Sequence, residues 1–203
     1  MEKIKIAVLV SGGGTNLQAC IDAQTAGIIK SGEIALVISN KPDAYALKRA
    51  DIAGIKTMVI EKSAYATIGG FEDAISAAID GAGCELIILA GFMCILSSLF
   101  TSRYKNRIIN VHPSLIPSFC GAGFYGLHVH EAALARGVKI TGATVHFVNE
   151  IPDGGEIILQ RPVQVFDGDT PAILQERVMR EAEWIILPQA AELVSAKLLN
   201  KSL

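Results

Sequence analysis

The chain has little charge and few cysteines for its length. Its 203 residues include 20 acidic and 18 basic side chains, and charged residues are 19% of the total. Soluble domains usually contain roughly 25% charged residues. The net charge of −2 excludes a strongly basic nucleic-acid-binding protein. An apolar fraction of 51% excludes a disordered chain, a collagen and a coiled coil.

Cysteine spacing forms no pattern typical of a metal site. Cys20, Cys84, Cys94 and Cys120 include no Cys-x-x-Cys pair and no zinc-like arrangement with histidine. A chain of this length buries enough apolar surface to fold without disulfide bonds. We therefore expect four free thiols in a reducing cytoplasm, and no bound metal.

A membrane-spanning segment and a signal peptide are also not expected. The 17 residues between Glu85 and Arg103 are uncharged, but Gly91 and several serines interrupt them. A transmembrane helix needs about 20 apolar residues. The segment Met1–Val10 is too short and too charged for a signal peptide. We expect a cytoplasmic protein.

Short apolar runs alternate with helical patterns over the first two thirds of the chain. The alternation predicts βαβ units and one Rossmann-like α/β domain over residues 1–203, with a mostly parallel twisted sheet flanked by helices. The most apolar strand, Leu86–Ala90, is expected at the centre of the sheet. The other predicted strands are Ile4–Val10, Glu33–Ser39, Lys56–Ile60 and Arg107–His112, and the predicted helices are Asn16–Ala26, Ala44–Ala53, Phe71–Ile79 and Ser97–Tyr104.

The last third of the chain has a different pattern. A helix at His128–Arg136 precedes two strands, Gly142–Val148 and Glu156–Val165. A long helix is predicted over Thr170–Leu199, and we expect Pro188 to kink it because proline cannot donate a helical hydrogen bond.

The first candidate site is the glycine-rich loop Ser11–Asn16, between the first strand and the first helix. Glycines allow backbone N–H groups to approach a ligand, and a helix N-terminus favours an anion. No Gly-Lys-Ser/Thr follows, and the last glycine of the dinucleotide fingerprint is absent. The loop therefore predicts phosphate binding, with an ordinary strand-to-helix turn as the alternative.

The second candidate site is the end of the strand Arg107–His112. Asn110 and His112 are two residues apart, so their side chains share one face of the strand. Ligands of open α/β sheets bind at the carboxyl ends of strands. An amide donor beside an imidazole suits stabilisation of an oxyanion and transfer of a proton. The alternative is a histidine that only caps a strand.

The third candidate is Asp153, followed by Gly154 and Gly155 in a turn between the late strands. Such a sequence by itself usually forms a turn. Its interest lies in a partner for His112, because a nearby carboxylate raises the pKa of an imidazole and orients it.

The remaining histidines carry weaker signals. His128 and His130 lie at a loop–helix junction and suit surface positions. His146 alternates with apolar neighbours in a strand, and we favour a structural or supporting role for it. The loop Ser118–Gly126 is rich in glycine and aromatic residues, and suits either a lid or a long connection.

Several of these segments together resemble one family across almost the whole chain. The sequence is similar to the phosphoribosylglycinamide formyltransferases, folate-dependent enzymes of purine biosynthesis. The Asn-x-His-Pro-Ser-Leu-x-Pro segment is shared by the 10-formyltetrahydrofolate-using transferases of this fold. The matching segments are Ser11–Gln18, Leu89–Met93, Asn110–Pro117, Gly142–Val148, Asp153–Gly155 and Ile157–Gln160.

The resemblance implies a role for each matching residue. Gly14, Thr15 and Asn16 would hold the substrate phosphate, and Glu183 would bind the ribose hydroxyls. The folate co-substrate would contact two segments, Met93, Cys94, Ile95 and Leu96 in the first and Val148, Asn149, Glu150, Ile151 and Pro152 in the second.

The resemblance also implies a catalytic trio of Asn110, His112 and Asp153. The amine of glycinamide ribonucleotide would attack the formyl carbon of 10-formyltetrahydrofolate. Asn110 and protonated His112 would stabilise the oxyanion, and Asp153 would keep His112 protonated and relay protons through water. Neither a metal nor a covalent intermediate is required.

Three features depart from the family pattern. Cys94 stands where many members have arginine, and Ile68 lies near a position that is often basic. These changes affect the expected affinity for the glutamate tail of the folate rather than the chemistry. The loop Ser118–Gly126 is longer than in many relatives.

Three other functions are alternatives to this one. A formyltetrahydrofolate hydrolase is expected to carry an additional N-terminal regulatory domain, whereas the first strand begins at Ile4. A methionyl-tRNA formyltransferase is expected to carry a C-terminal RNA-binding domain and a basic surface. A phosphate- or nucleotide-binding module without catalysis needs only the glycine loop. We expect small-molecule partners, no nucleic acid or membrane partner, and a monomer or homodimer.

Overall fold

The computed structural model describes residues 3–200, which form one mixed sheet with helices on both faces. The ends of the predicted domain, residues 1–2 and 201–203, lie outside the described residues. The strands are β1 (Ile4–Val10), β2 (Gly32–Ser39), β3 (Lys56–Val59), β4 (Leu86–Leu89), β5 (Ile108–His112), β6 (Ile140–Phe147) and β7 (Ile157–Gln164).

Two sets of helices cover this sheet. All of the predicted helices are present, with ends within a few residues of the expected positions. They are α1 (Thr15–Thr25), α2 (Tyr45–Ile52), α3 (Ile68–Gly81), α4 (Ser98–Arg103), α5 (Leu127–Arg136), α6 (Pro171–Val178) and α7 (Trp184–Leu199).

The sheet order is β3-β2-β1-β4-β5-β6-β7. Neighbouring strands from β3 to β5 are parallel, whereas β6 and β7 are antiparallel to their neighbours. The prediction of a mostly parallel α/β sheet is confirmed. So is the central position of β4, which has three strands on each side.

Burial on both faces explains the near-continuous apolar strands. Along β1, Ile6 and Val8 pack into one core, and Ala7 and Leu9 pack into the core on the opposite face. The first core is closed by α1 and α7, and the second by α3 and α4. Parallel strands between two helical layers have no solvent-facing side, so alternation of polar residues disappears.

The C-terminal helix differs from the prediction in one respect. Its segments α6 and α7 are joined by a π-helical turn, Met179–Glu183, so the irregularity precedes Pro188 by about one turn. Pro188 lies inside α7 and is buried. A wide turn that ends at Glu183 therefore lies just before Pro188, and π-helical turns often occur at functional sites. The kink at Pro188 stays a prediction.

The four cysteines are free thiols, as expected. Within residues 3–200, no helix is both long and apolar enough to span a bilayer. The same part of the chain contains no group of three or more His, Cys, Asp or Glu side chains arranged to hold a metal ion.

Candidate active site

The site lies where the loops after β1, β4 and β5 meet. These three strands are neighbours and parallel, so their carboxyl ends lie at the same edge of the sheet. The loop after β4 is joined to the end of β1, since the N–H of Met93 donates to Oγ of Ser11 at 2.8 Å. This is the edge at which open α/β sheets bind ligands.

Asp153 lies between two histidines at this edge. Its Oδ2 is 3.4 Å from Nδ1 of His112, and its Oδ1 is 3.5 Å from Nε2 of His146. Asn110 contacts the same cluster, because its Nδ2 is 3.2 Å from Nε2 of His146. The structure therefore brings Asn110, His112 and Asp153 together from a strand and a distant turn.

The turn that carries Asp153 has a constrained backbone. Asp153 has a φ of +55°, in the left-handed region that only a few non-glycine residues adopt. Two residues later, a Cβ on Gly155 would overlap the carbonyl oxygen of Phe147. The glycine allows the chain to pass close to the end of β6, and this approach places the Asp153 carboxylate beside His112 and His146.

The hydrogen bonds of His112 define its tautomer. Nε2 lies 2.8 Å from the carbonyl oxygen of Phe119, which only accepts, so Nε2 carries a hydrogen. Nδ1 is the nitrogen that faces Asp153. The His112 side chain is 5% exposed, and its environment therefore contains little water.

Burial governs the charge of His112. Desolvation lowers the pKa of His112 below its usual 6.5, and neighbouring His146 lowers it further. The Phe119 carbonyl and the Asp153 carboxylate oppose this shift but do not overcome it. We expected Asp153 to keep His112 protonated. In the structure the carboxylate does raise the pKa of His112, but burial lowers it by more, so the imidazole is mainly neutral at pH 7.

Asp153 remains ionised in the same environment. Partial burial raises the pKa of Asp153, but the neighbouring His146 ring, the hydrogen bond from the N–H of Gly121 and the proximity of His112 lower it by more. The Gly121 bond is 2.9 Å long. A stable carboxylate beside a neutral imidazole can accept a proton through that imidazole during a reaction.

His146 contacts Asn110, which fits the structural or supporting role favoured from its sequence position. Its Nδ1 donates to the carbonyl of Phe147 at 2.8 Å, so Nε2 is free to accept the amide N–H of Asn110. This contact orients Asn110, and His146 is 1% exposed. The alternation of residue types along β6 predicted only that His146 faces opposite to its neighbours. It could not predict the contact with Asn110, because the sequence does not show that β5 is the partner strand.

The long loop after β5 contacts both His112 and Asp153. The carbonyl of Phe119 accepts from His112, and the N–H of Gly121 donates to Asp153. The peptide bond Ile116–Pro117, just before this loop, is cis. Sequence reasoning did not assign these roles, because they use backbone groups that carry no residue-type signal.

The histidines of α5 differ sharply from each other. His128 is exposed, as expected, and pairs with Glu131 at 3.0 Å. His130 was expected near the surface but is fully buried, so that expectation was wrong. Within residues 3–200, neither of its ring nitrogens has a hydrogen-bond partner. Burial and the proximity of His112 lower the pKa of His130 to about 4.

Most of the predicted folate-binding residues surround one cavity of about 150 Å³ next to Asn110 and His146. Met93 is the exception, since it lies outside the lining and its side chain is 58% exposed. Leu89 and Phe92 also line the cavity and were not predicted. The predicted residues in the lining are Cys94, Ile95, Leu96, Val148, Asn149, Glu150, Ile151 and Pro152, together with Asn110 and Asp153.

The two departures at expected basic positions lie apart in the structure. Cys94 lines the cavity and its Sγ accepts from Nδ2 of Asn40 at 3.1 Å. Ile68 begins α3 and is not among the described residues that line the cavity.

The predicted phosphate loop and Glu183 form a second part of the site. Gly14 has a φ of +71° at the N-terminus of α1, where Thr15 and Asn16 begin the helix. Nδ2 of Asn16 donates to Oε2 of Glu183 at 2.7 Å. A cavity of about 460 Å³ lies beside this pair and is lined by Thr15 and Trp184, among others. The structure thus joins the four residues predicted for one substrate, while their binding roles stay predictions.

Comparison with known proteins supports one family. A family model described as formyl transferase matches residues 4–191. The chain is 44% identical to a phosphoribosylglycinamide formyltransferase of Haemophilus influenzae, over 91% of this chain and 84% of that protein. It is 45% identical to a trifunctional purine biosynthetic protein adenosine-3 of Gallus gallus, but spans only 19% of that protein's length and 96% of its own.

A solved structure has the same fold. The glycinamide ribonucleotide transformylase 1 of Symbiobacterium toebii superposes with a TM-score of 0.90 at 41% identity. The match covers 96% of this chain and 89% of that one. The similarity therefore extends over nearly the whole sheet and both helical layers.

Proposed function

Because the chain belongs to the formyl transferase family, we propose that it transfers the formyl group of 10-formyltetrahydrofolate to the amine of glycinamide ribonucleotide. The similarity to phosphoribosylglycinamide formyltransferases at 43% and 44% identity supports this choice of substrates. The reaction belongs to purine biosynthesis. The proposal includes the roles that the resemblance implies for the phosphate loop and Glu183. It also includes folate binding in the cavity of about 150 Å³ beside Asn110, the folate-side cavity.

The observation that carries the proposal is the convergence of Asn110, His112 and Asp153 at one edge of the sheet. A module that only bound phosphate would need the glycine loop and nothing at β5. An amide donor, an imidazole and a carboxylate within a few ångströms are the groups that acyl transfer to an amine requires. Their position beside the folate-side cavity fits a formyl donor bound there.

The proposed reaction has one bond formed and one broken at the formyl carbon. The amine nitrogen attacks this carbon, and the carbonyl oxygen becomes an oxyanion. The intermediate collapses with cleavage of the bond to N10 of the folate. One proton leaves the attacking amine and one joins N10, so that tetrahydrofolate and the formylated amide are released with protons conserved.

Asn110 and His112 have distinct roles in these steps. One amide hydrogen of Asn110 is directed to His146, which leaves the second to donate to the oxyanion. His112 starts neutral, because burial lowers its pKa, and takes up the amine's proton at Nδ1. The imidazolium so formed is stabilised by Asp153 and by the Phe119 carbonyl, and then returns a proton to the leaving nitrogen.

The test is formyl transfer measured with wild type, Asp153→Asn and Asp167→Asn side by side. Asp167 is a matched control because its side chain is 99% exposed and, in the described part of the chain, pairs only with Lys139. We expect transfer by wild type and by Asp167→Asn. Asp153→Asn should lose about 10²–10⁴-fold in kcat, as typical for removal of a proton-transfer group.

Other outcomes would replace the proposal. Release of free formate from 10-formyltetrahydrofolate, without transfer to the amine, would favour a hydrolase. Binding of glycinamide ribonucleotide with neither product would favour a phosphate-binding module. Equal activity in wild type and Asp153→Asn would remove Asp153 from the mechanism and leave the reaction itself intact.

We further propose that the protein works in the cytoplasm on small molecules, as a monomer or homodimer. The four unpaired cysteines support a reducing compartment. The net charge of −2 gives no support for a nucleic-acid partner.

A further inference from the structure

Helix α2 is hydrogen-bonded to the phosphate loop, the glycine-rich segment Ser11–Asn16. The N–H of Ala46 donates to the carbonyl of Gly12 at 3.0 Å, and Nε of Arg49 donates to the carbonyl of Gly13 at 2.8 Å. The loop also lies close to α2, because a Cβ on Gly14 would be 2.6 Å from Cβ of Ala46. Two successive carbonyls of the loop are therefore tied to one helix.

This attachment determines where the loop's N–H groups point. In a trans peptide, the carbonyl and the following N–H point in opposite directions. With the carbonyls of Gly12 and Gly13 turned towards α2, the N–H groups of Gly13 and Gly14 point away from it. Among the backbone bonds described for residues 3–200, neither N–H has an acceptor. Two unpaired, aligned N–H groups at a helix N-terminus suit an anion.

Arg49 is itself held in place. Its Nη1 donates to Oε1 of Gln18 at 3.0 Å, and its guanidinium lies 5.0 Å from the centre of the Tyr45 ring. In the described part of the chain, no carboxylate forms an ion pair with Arg49. A fixed guanidinium without a carboxylate partner leaves positive charge immediately behind the loop.

We propose that Arg49 is a positioning residue for the substrate phosphate, which it orders through the Gly13 carbonyl and attracts through its uncompensated charge. This inference rests on the proposed function for the identity of the substrate. It adds a residue outside the loop to those that the family resemblance implies. Arg49 does not touch the reacting atoms, so it acts on binding rather than on the chemical step.

The test compares Arg49→Met with Lys48→Met. Both changes remove one positive charge from neighbouring positions of α2, and methionine is a good helix former. Lys48 is exposed, and its Nζ lies 5.8 Å from the same Tyr45 ring. Lys48 forms no described bond to the loop, so Lys48→Met controls for charge alone.

Calorimetry and kinetics measure the effect on three probes, which are glycinamide ribonucleotide, glycinamide riboside without the phosphate, and inorganic phosphate. Arg49→Met should weaken binding of the ribonucleotide and of inorganic phosphate about ten- to a hundredfold, as expected for a lost hydrogen bond that involves a charged group. Binding of the riboside and kcat at saturation should change little. Lys48→Met should resemble wild type.

Three results would overturn the inference. They are wild-type affinity in Arg49→Met, an equal loss for ribonucleotide and riboside, and an equal loss in Lys48→Met. If Arg49→Met does not fold by circular dichroism, Arg49→Lys replaces it. The ammonium of that variant keeps the charge but lacks the planar fork that bonds Gly13 and Gln18 together, so its affinity should still fall. Wild-type affinity in Arg49→Lys would contradict the positioning role.

The phosphate loop can be tested independently of the proposed substrates. If wild type transfers no formyl group, inorganic phosphate still tests the loop directly. Weaker phosphate binding by Arg49→Met would then support the positioning role. Absence of phosphate binding by wild type would overturn it.

Discussion

Asn16 donates a 2.7 Å hydrogen bond to Glu183, although the two residues are 167 positions apart in the chain. The bond joins the start of α1 to the π-helical turn before α7. Glu183 is 6% exposed. Burial raises the pKa of the Glu183 carboxyl to about 7, and the bond from Asn16 opposes that shift only in part. A carboxyl at the predicted ribose site thus titrates near neutral pH.

Glu183→Gln should change how stability depends on pH. Folded Glu183 retains its proton up to about pH 7, whereas an unfolded carboxyl releases it near 4.5. The folded state therefore binds more protons in this window, and wild-type stability falls as pH rises through it, by up to about 3 kcal/mol from this group. Glutamine does not titrate, so the variant gains stability relative to wild type from pH 5 to pH 8.

Urea unfolding at pH 5 and pH 8 measures this difference. Glu176→Gln is the matched control, since its side chain is 66% exposed and lies in the preceding helix α6. The control should show no such trend. A constant difference between Glu183→Gln and wild type at both pH values would contradict a raised pKa.

The strands were predictable because the physical signal is strong. Both faces of Ile4–Val10 and Leu86–Leu89 are buried almost throughout. Each strand is therefore a nearly continuous apolar run in the sequence, with turn residues at its ends. The ends of such strands in a parallel sheet meet at one edge, so Asn110 and His112 could be placed in a site before the structure was known.

The rest of the site depended on tertiary contacts that residue type does not encode. Arg49 bonds a backbone carbonyl of the phosphate loop, and Gly121 bonds Asp153 through its own backbone N–H. The sequence pattern indicates neither contact. The burial of His130 depends on which face of α5 meets the sheet. The neutral state of His112 depends on how fully the loop around Phe119 excludes water, and that loop has no regular period.

His130→Leu should stabilise the protein, most strongly in acid. The buried imidazole has no hydrogen-bond partner among the described residues, and its pKa of about 4 lies below the usual 6.5. The unfolded state therefore binds a proton that the folded state does not, and wild-type stability falls as pH drops below 6.5. The contribution lost at pH 5 is about 2 kcal/mol, which the variant should recover.

Unfolding at pH 5 and pH 8 tests this expectation. His128→Leu is the control on the same helix, because His128 has a side chain that is 59% exposed. It should leave the pH dependence unchanged. If His130→Leu is less stable than wild type at pH 5, the imidazole has a stabilising partner and the reasoning fails.

Gly155→Ala should disrupt the turn that positions Asp153. The added Cβ would overlap the carbonyl oxygen of Phe147, so the backbone after Asp153 must move. Insertion of one carbon into close-packed surroundings typically costs about 1–3 kcal/mol. The Asp153 carboxylate would then move away from His112, so kcat should fall. The melting temperature should fall as well, because the turn is strained.

The control for this change is Gly81→Ala in α3, where an added Cβ meets nothing within 4 Å. Alanine in a helix is favoured over glycine by about 1 kcal/mol, so this variant should melt higher and keep full activity. Wild-type stability and activity in Gly155→Ala would show that the turn tolerates the shift and that Asp153 is positioned by other contacts.

Asn110→Ala tests whether the amide acts on the transition state. Loss of one oxyanion donor typically lowers kcat about 10²–10³-fold. The ground-state carbonyl gains less from this donor than the oxyanion does, so KM for either substrate should change little. The variant also leaves Nε2 of His146 without its 3.2 Å donor, and a melting curve separates this structural effect from catalysis.

Asn106→Gly is the matched control for the same strand. Asn106 is exposed just before β5 and has a φ of +59°, which glycine adopts without strain. Its kcat and KM should equal those of wild type. A rise in KM without loss of kcat in Asn110→Ala would mean that Asn110 binds the ground state, and the oxyanion role would then pass to the imidazolium of His112.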